Sequence, residues 1–274
     1  MRIGCCLPGG SFMPQGEKEV PASTFEVLLA GDKAVMEAGY DFSESTLGMI
    51  LSLTEEEADR LAKAKAEGNF HLEACNCFIP GSLPICAGEK RAELRDYVEK
   101  AMARMQKLGV ETVVFGSGGA RRIPDGMDRA TAMDEIANFL TMCNDVAQNY
   151  GVTVVIEPLN HKECNVLLTV AEGAELARRV DLPYIKLLAD SYHVFVEDED
   201  LSHIWENKDI LRHIHVAEVP DRVYPGRDGG EYLKKFAQAL RQAGYEGRVT
   251  VECGFTDFLP EMQAAGKFLL DVYK

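Results

Sequence analysis

The sequence predicts an α/β fold, a single closed (β/α)8 barrel of the TIM type, from three observations. Its 274 residues are close to the roughly 250 that are typical of such a barrel. Short runs rich in β-branched residues alternate with longer amphipathic segments along the whole chain, and eight of each can be counted. Dividing the length by eight gives about 34 residues per unit, the size of one strand with its helix.

The predicted strands are bounded by turn residues and by helical patterns. They lie at 2–7, 41–46, 71–78, 112–117, 153–159, 185–191, 210–218 and 248–255. Because a helix follows each strand, the sheet is expected to be parallel with right-handed crossovers. Eight units of this size favour closure into a barrel over an open doubly wound sheet, which is the alternative.

Apolar spacing and glycine placement support the helices between the strands. Two series of apolar residues keep helical spacing on one face: Leu94, Val98, Ala101, Met102, Met105 and Leu108, and then Ile136, Leu140, Cys143 and Ala147. Glycines that should end helices precede several strands: Gly39, Gly68, Gly109, Gly151 and Gly244. Neither a linker nor a change of composition interrupts the pattern, so we expect one domain over residues 1–274.

Composition and charge limit the classes of molecule that we expect the protein to bind. With 46% hydrophobic and 27% charged residues, the chain has ample material for a core. Its 29 basic and 44 acidic residues give a net charge of −15, which repels phosphate backbones and anionic membranes. We therefore expect no nucleic-acid and no membrane partner. The amino terminus lacks a signal pattern and no apolar run is long enough to span a bilayer, so we expect a cytoplasmic protein.

Four late strands each carry, near the carboxyl end, one residue able to bind a metal: Glu157, Asp190, His215 and Glu252. In a closed barrel these ends meet at one rim. Three carboxylates and one imidazole form an oxygen-rich set that suits one divalent cation. We expect Mn²⁺ ahead of Mg²⁺, Co²⁺ or Zn²⁺. Any one of these carboxylates alone would be interpreted as a helix cap or a member of a surface ion pair. The four residues by themselves are compatible with such structural roles and with a metal site.

Several segments resemble one family of barrels. They are IEPLNHKE (Ile156 to Glu163), LADSYH (Leu188 to His193), HIHVAE (His213 to Glu218), PG (Pro225 and Gly226) and VECGF (Val251 to Phe255). The chain resembles the xylose isomerase-like TIM barrels and, within them, the sugar phosphate isomerase/epimerase group. That group includes the ketose 3-epimerases of the tagatose and psicose type.

The resemblance implies roles for individual residues. It makes Glu157, Asp190, His215 and Glu252 the metal ligands. Three further positions match substrate-binding residues: Glu163, His193 and Arg222. Arg222 matches the family's substrate-binding arginine only if this chain carries one extra residue between His215 and Arg222. His213 and Glu44 are expected to form hydrogen bonds inside the barrel and to give structural support.

The resemblance also implies a reaction. We expect a metal-dependent isomerase or epimerase of a small carbohydrate, either a sugar or a sugar phosphate. Glu157 and Glu252 would be the acid/base pair that moves a proton at the carbon next to a ketose carbonyl, through an enediolate. Similar barrels often pair, so a homo-oligomer is compatible with this reading.

Two other activities stay open at this point. The first is a metal-dependent dehydratase of an inosose or a dehydroshikimate-like ring, which also begins with proton abstraction beside a carbonyl. The second, which we disfavour, is an apurinic endonuclease-like phosphodiesterase. That activity would need histidines at the ends of strands three and four, where Asn76, Cys77, Gly116 and Ser117 stand, while His71 lies at the opening of its strand.

The loop from Gly116 to Gly119, followed by Arg121 and Arg122, allows two interpretations. Its backbone N–H groups and arginines could bind a phosphate. The simpler interpretation is a flexible turn with two solvated arginines.

Overall fold

The strands form a closed parallel barrel in the order of the sequence, from β1 to β8 and back to β1. The computed structural model describes residues 1–13, 22–86, 88 and 90–274. Closure joins the last strand to the first through pairs from Arg2 with Arg248 to Cys5 with Val251. The predicted barrel is confirmed, and the open doubly wound sheet is wrong.

Each of the eight predicted strands is present. Their bounds are β1 Arg2–Cys6, β2 Phe42–Thr46, β3 Leu72–Asn76, β4 Thr112–Phe115, β5 Thr153–Ile156, β6 Ile185–Asp190, β7 Leu211–Val216 and β8 Arg248–Val251. Most end earlier than predicted, and β8 ends at Val251 instead of residue 255. β5 and β8 end directly before a glutamate of the carboxyl rim, Glu157 and Glu252 respectively.

Helices follow the strands around the outside of the barrel. Their bounds are α1 Thr24–Glu37, α2 Leu47–Ser52, α3 Glu55–Ala66, α4 Arg91–Lys107, α5 Gly118–Arg121, α6 Arg129–Tyr150, α7 Val170–Val180, α8 Ser191–Val196, α9 Ser202–Glu206, α10 Glu231–Gln242 and α11 Phe258–Tyr273. The two predicted apolar series lie in or at the end of α4 and α6. Gly151 ends α6 with a left-handed φ of 70°, as its position predicted.

Capping side chains fix the first turn of two helices. Ser23 and Glu26 form a capping box at the start of α1, and Thr54 and Glu57 form another at the start of α3. In the part of the chain that the structure describes, no helix has the length and hydropathy needed to cross a membrane.

The barrel interior is divided between apolar and polar residues. Val114, Val155 and Leu188 form a small buried cluster of their own, apart from the large core. Strand alternation turns these residues inward, while their neighbours pack against the helices. A polar network occupies another part of the interior. Its buried members include Glu44, His213, His215 and Thr250. This network is joined to the candidate site through His215.

Candidate metal centre at the barrel rim

Four side chains from successive strands meet at the carboxyl rim. Ligand atoms of Glu157, Asp190, His215 and Glu252 all lie within 4.8 Å of one another. Asp190 ends β6 and His215 lies in β7. Glu157 and Glu252 follow β5 and β8 by one residue, yet their backbone N–H groups still donate to the neighbouring strands. The structure therefore brings together the four side chains that the sequence predicted to meet.

The ring of His215 presents a different nitrogen to each side. Nδ1 lies 3.0 Å from Oε1 of Glu157 and 3.3 Å from Oε2 of Glu252. Nε2 lies 3.1 Å from Oε1 of Glu44, which is fully buried below it. Metal-bound histidines commonly donate their second N–H to a carboxylate, which fixes the ring and raises its basicity. Nδ1 is thus the nitrogen available to a cation, and Glu44 occupies the supporting position predicted for it.

A second network residue holds Glu44 in place. His213 Nε2 lies 2.9 Å from Oε2 of Glu44 and 3.2 Å from the hydroxyl of Thr250. Both oxygens of Glu44 are therefore engaged by imidazoles. Burial by itself would raise the pKa of Glu44, but the charges of His215 and His213 outweigh burial and hold it well below its usual range. Glu44 remains a carboxylate in the barrel interior.

The two rim glutamates differ in proton affinity. Burial and, next, the charge of Glu252 raise the pKa of Glu157. Burial also acts to raise the pKa of Glu252. The charge of His215 and its hydrogen bond to Glu252 outweigh burial, and the charge of Arg222 lowers the pKa further. The net effect lowers the pKa of Glu252 to about 2. Pairs of carboxylates whose environments separate their pKa values are typical of acid/base sites.

The donor set fits one divalent cation. It offers three carboxylates and Nδ1 of His215, and the four ligand atoms lie close together. Oxygen-rich sets with a single imidazole suit Mn²⁺, Mg²⁺ and Co²⁺. Cys6, Glu44 and His215 form another close group. Burial raises the pKa of the Cys6 thiol well above its usual range, and the nearby carboxylates add to this, so the sulfur is a poor ligand.

The three residues predicted to bind substrate lie at the same rim. Arg222 reaches Oε2 of Glu252 at 2.8 Å and Oε1 of Glu163 at 3.2 Å. His193 is buried, and its Nε2 lies 3.6 Å from Oδ2 of Asp190. Arg222 has a left-handed φ of 54°, and its guanidinium lies 5.0 Å from the ring centre of Tyr192. A strained backbone at such a position is typical of functional sites.

A cavity of about 560 Å³ opens beside these groups. Its lining residues are Thr46, Gly48, Cys77, Ile79, Pro80, Gly81, Tyr97, Gly116, Ser117, Gly118, Gly119, Glu157, Leu159, Glu163, Arg222 and Glu252. This volume is in the range of small-molecule sites. Among the described lining residues, Arg222 is the only arginine or lysine, and it faces three glutamates.

Two asparagines at this rim were not predicted as functional. Asn76, at the end of β3, donates to Oε1 of Glu252 at 2.8 Å. Asn160, in the loop after β5, lies within hydrogen-bonding distance of both Glu163 and His193. The contact between Asn76 and Glu252 joins residues that are far apart in sequence, so no local sequence pattern predicts it. The only available signal for Asn160 was its place between Glu157 and Glu163.

The prediction of two solvated arginines after the glycine loop is wrong for Arg121. Its side chain is fully buried and donates to the carbonyl oxygens of Phe115, Glu157 and Leu167. The short helix α5 turns this side chain inward, where it supports the backbone that carries Glu157. Arg121 therefore cannot bind a phosphate. Arg122 is exposed and donates to the carbonyl oxygen of Glu163.

His71 lies at the opposite end of the barrel, as the sequence predicted. It precedes β3 and pairs with the buried Asp32 through both its backbone N–H and its Nδ1. It cannot contribute to a metal cluster at the carboxyl rim.

The chain belongs to the xylose isomerase-like TIM barrel family, whose model matches residues 33–267. A curated relative, the 3-dehydro-D-guloside 4-epimerase of Escherichia coli (strain K12), is 25% identical over 83% of this chain and 87% of the relative. The D-psicose 3-epimerase of Agrobacterium fabrum is 28% identical over 59% of this chain and 56% of that protein. The predicted family is confirmed, and these relatives support an enzyme of the isomerase/epimerase type.

A solved structure shows the same fold. The D-psicose 3-epimerase from Clostridium cellulolyticum H10, crystallised with D-tagatose, superposes with a TM-score of 0.83 over 100% of both chains. Its sequence identity to this chain is 19%, so the likeness concerns the barrel and not the substrate.

Proposed function

We propose that the protein is a divalent-metal-dependent epimerase that moves a proton at the carbon next to the carbonyl of a ketose. One observation carries the proposal: Glu157 and Glu252 converge with Asp190 and His215, and both glutamates also line one cavity. The names of the relatives, a 4-epimerase and a 3-epimerase, support this class of reaction.

Glu157, Asp190, His215 and Glu252 would hold the cation, with Mn²⁺ as the first candidate. When bound, a divalent cation supplies Lewis acidity that polarises a carbonyl and stabilises the charge of an enediolate. The proton that leaves the carbon must still be taken and returned by the protein's own groups.

Glu157 and Glu252 are suited to this proton transfer. They follow β5 and β8, which are separated by two strands in the closed barrel. Their carboxylates therefore approach the cavity from different directions, as inversion at one carbon requires. One glutamate would remove the proton and the other would return it on the opposite face.

Glu163, His193 and Arg222 would hold the oxygens of the sugar and so orient the reacting carbon. The charge of the cavity favours an uncharged ketose over a ketose phosphate. Arg222 is already paired with Glu252, Glu163 and Asp190, and Arg121 is buried under the loop. A phosphate would meet carboxylates without an unpaired cation among the described lining residues.

The test uses Mn²⁺-loaded protein and matched pairs of ketoses and ketose phosphates. We expect an epimer from a neutral ketose, with kcat/KM at least about tenfold above that for its phosphate. Glu157→Gln and Glu252→Gln should each lower turnover by about 100-fold or more. Glu175→Gln, on the exposed face of α7, is the matched control and should leave turnover unchanged.

Three results would count against this proposal. Full turnover by either glutamine variant with metal bound would exclude the two-glutamate scheme. Preference for the phosphorylated substrate would contradict the charge argument. Loss of water to give an ultraviolet-absorbing enone would favour the dehydratase alternative.

A further inference from the structure

Asn160 links two of the residues proposed to bind substrate. It is fully buried in the loop after β5. Its Nδ2 lies 3.0 Å from Oε1 of Glu163 and 2.8 Å from Nδ1 of His193. Its Oδ1 accepts the backbone N–H of Lys162 at 3.0 Å. All polar atoms of this amide are engaged.

These contacts fix which way the amide faces. The oxygen must face the Lys162 N–H, since a nitrogen there would meet another donor. The opposite orientation would also place the amide oxygen against the Glu163 carboxylate. Nδ2 therefore donates one hydrogen to Glu163 and directs the other at Nδ1 of His193.

The amide orientation determines where His193 carries its proton. A donor facing Nδ1 requires a lone pair on that nitrogen, so the neutral ring has its proton on Nε2. Nε2 is buried and has no hydrogen-bond partner in the described part of the chain. It lies 3.6 Å from Oδ2 of Asp190, on the side of the candidate site. A buried donor without a partner is costly, and an incoming acceptor oxygen would relieve that cost.

We propose that Asn160 is a positioning residue for the sugar. It holds His193 as the Nε2–H tautomer, which donates to a substrate oxygen, and it orients Glu163 as an acceptor for a neighbouring hydroxyl. The pair recognises an oxygen acceptor and a hydroxyl donor side by side, as in a hydroxyketone. This inference rests on the proposed function for its ligand, but the tautomer itself can be measured without turnover.

Asn160→Asp is the discriminating variant. Aspartate has nearly the shape of asparagine and still accepts the Lys162 N–H, but it presents an acceptor where the amide donated. His193 should then carry a proton on Nδ1, and Glu163 should be repelled. With a neutral ketose such as D-psicose, we expect kcat/KM to fall about tenfold or more, with a rise in KM.

The direct readout is ¹⁵N NMR of the imidazole nitrogens in the diamagnetic Mg²⁺-loaded protein. The chain has six histidines, and the His193 signals are assigned by their loss in His193→Gln. We expect the Nε2–H tautomer in the unmodified protein and protonation at Nδ1 in Asn160→Asp. Asn144→Asp is the matched control, because Asn144 is buried in α6 and uses Oδ1 to accept the Tyr184 N–H. It should leave both the His193 signals and KM unchanged.

The outcomes separate this inference from the proposed function. An Nδ1–H tautomer in the unmodified protein would overturn the role of Asn160 even if the protein epimerises ketoses. Unchanged His193 signals and KM in Asn160→Asp would overturn it as well. If no ketose is turned over but the tautomer shifts as expected, the proposed function fails and the Asn160–His193 relationship stands. Should Asn160→Asp not fold, the tautomer of the unmodified protein decides the question alone.

Discussion

The backbone of Gly116 leaves no room for a side chain beside the carboxylate of Glu157. A Cβ placed on Gly116 would lie 2.2 Å from Oε2 and 3.3 Å from Cδ of Glu157. Gly116 directly follows β4, the strand that pairs with β5. The absence of a side chain at this position allows Glu157 to lie across the rim and reach His215.

Gly116→Ala should displace the Glu157 carboxylate and lower kcat/KM by about 100-fold, because small misplacements of reacting groups cost that much. The measurement is steady-state kinetics together with Mn²⁺ calorimetry. Gly48→Ala is the control, since Gly48 lines the same cavity and a Cβ there would meet nothing within 4 Å. Equal kinetics of the two variants would show that Gly116 is not required.

Glu44→Gln should weaken Mn²⁺ binding by about 10- to 100-fold, although Glu44 is not proposed as a ligand. The amide keeps the shape of the carboxylate but loses the charge that acts on Nε2 of His215. Isothermal titration calorimetry measures the change in affinity. Asp32→Asn removes another buried carboxylate that pairs with a histidine, His71, outside the cluster. An equal loss of affinity in both variants would contradict a specific role for Glu44.

Acid should weaken an ion-pair cluster at the amino end of the barrel. Glu73 accepts hydrogen bonds from Arg2 at 2.6 Å and from Arg248 at 2.7 Å. Burial acts to raise the pKa of Glu73, but these hydrogen bonds outweigh burial and lower it. A lowered pKa in the folded protein means stability that is present above the usual glutamate range and lost as the pH falls through the lowered value.

Glu73→Gln should therefore lower the free energy of unfolding at pH 7, by on the order of 1 kcal/mol for this half-buried cluster. The difference from the unmodified protein should narrow as the pH falls toward 2. Urea unfolding of both proteins across this pH range measures it, with Glu175→Gln as the exposed control. A difference that grows in acid would contradict the sign of the shift.

The sequence predicted the barrel well because the fold depends on local patterns. β-Branched runs and helical spacing recur along the chain, glycines such as Gly151 end several helices, and each signal acts within a few residues. Strand ends were less predictable. The predicted strand runs to residue 255, but β8 ends at Val251 and the residues that follow belong to the rim.

The candidate site was only partly predictable. The cluster around His215 follows from strand order, since the carboxyl ends of a closed parallel barrel meet. The contacts of Asn76 and Asn160 depend on residues distant in sequence, and so does the burial of Arg121. A buried arginine that binds three carbonyl oxygens has the same local sequence as a solvated one.

The proposed reaction requires that a proton leaves and returns at the carbon next to the ketose carbonyl. The most direct test is to incubate the Mn²⁺-loaded protein with a panel of neutral ketoses in deuterated water and to follow the products by NMR. We expect an epimer that carries deuterium at the inverted carbon. An epimer without deuterium at any carbon next to the carbonyl, or no reaction with any neutral ketose, would contradict it.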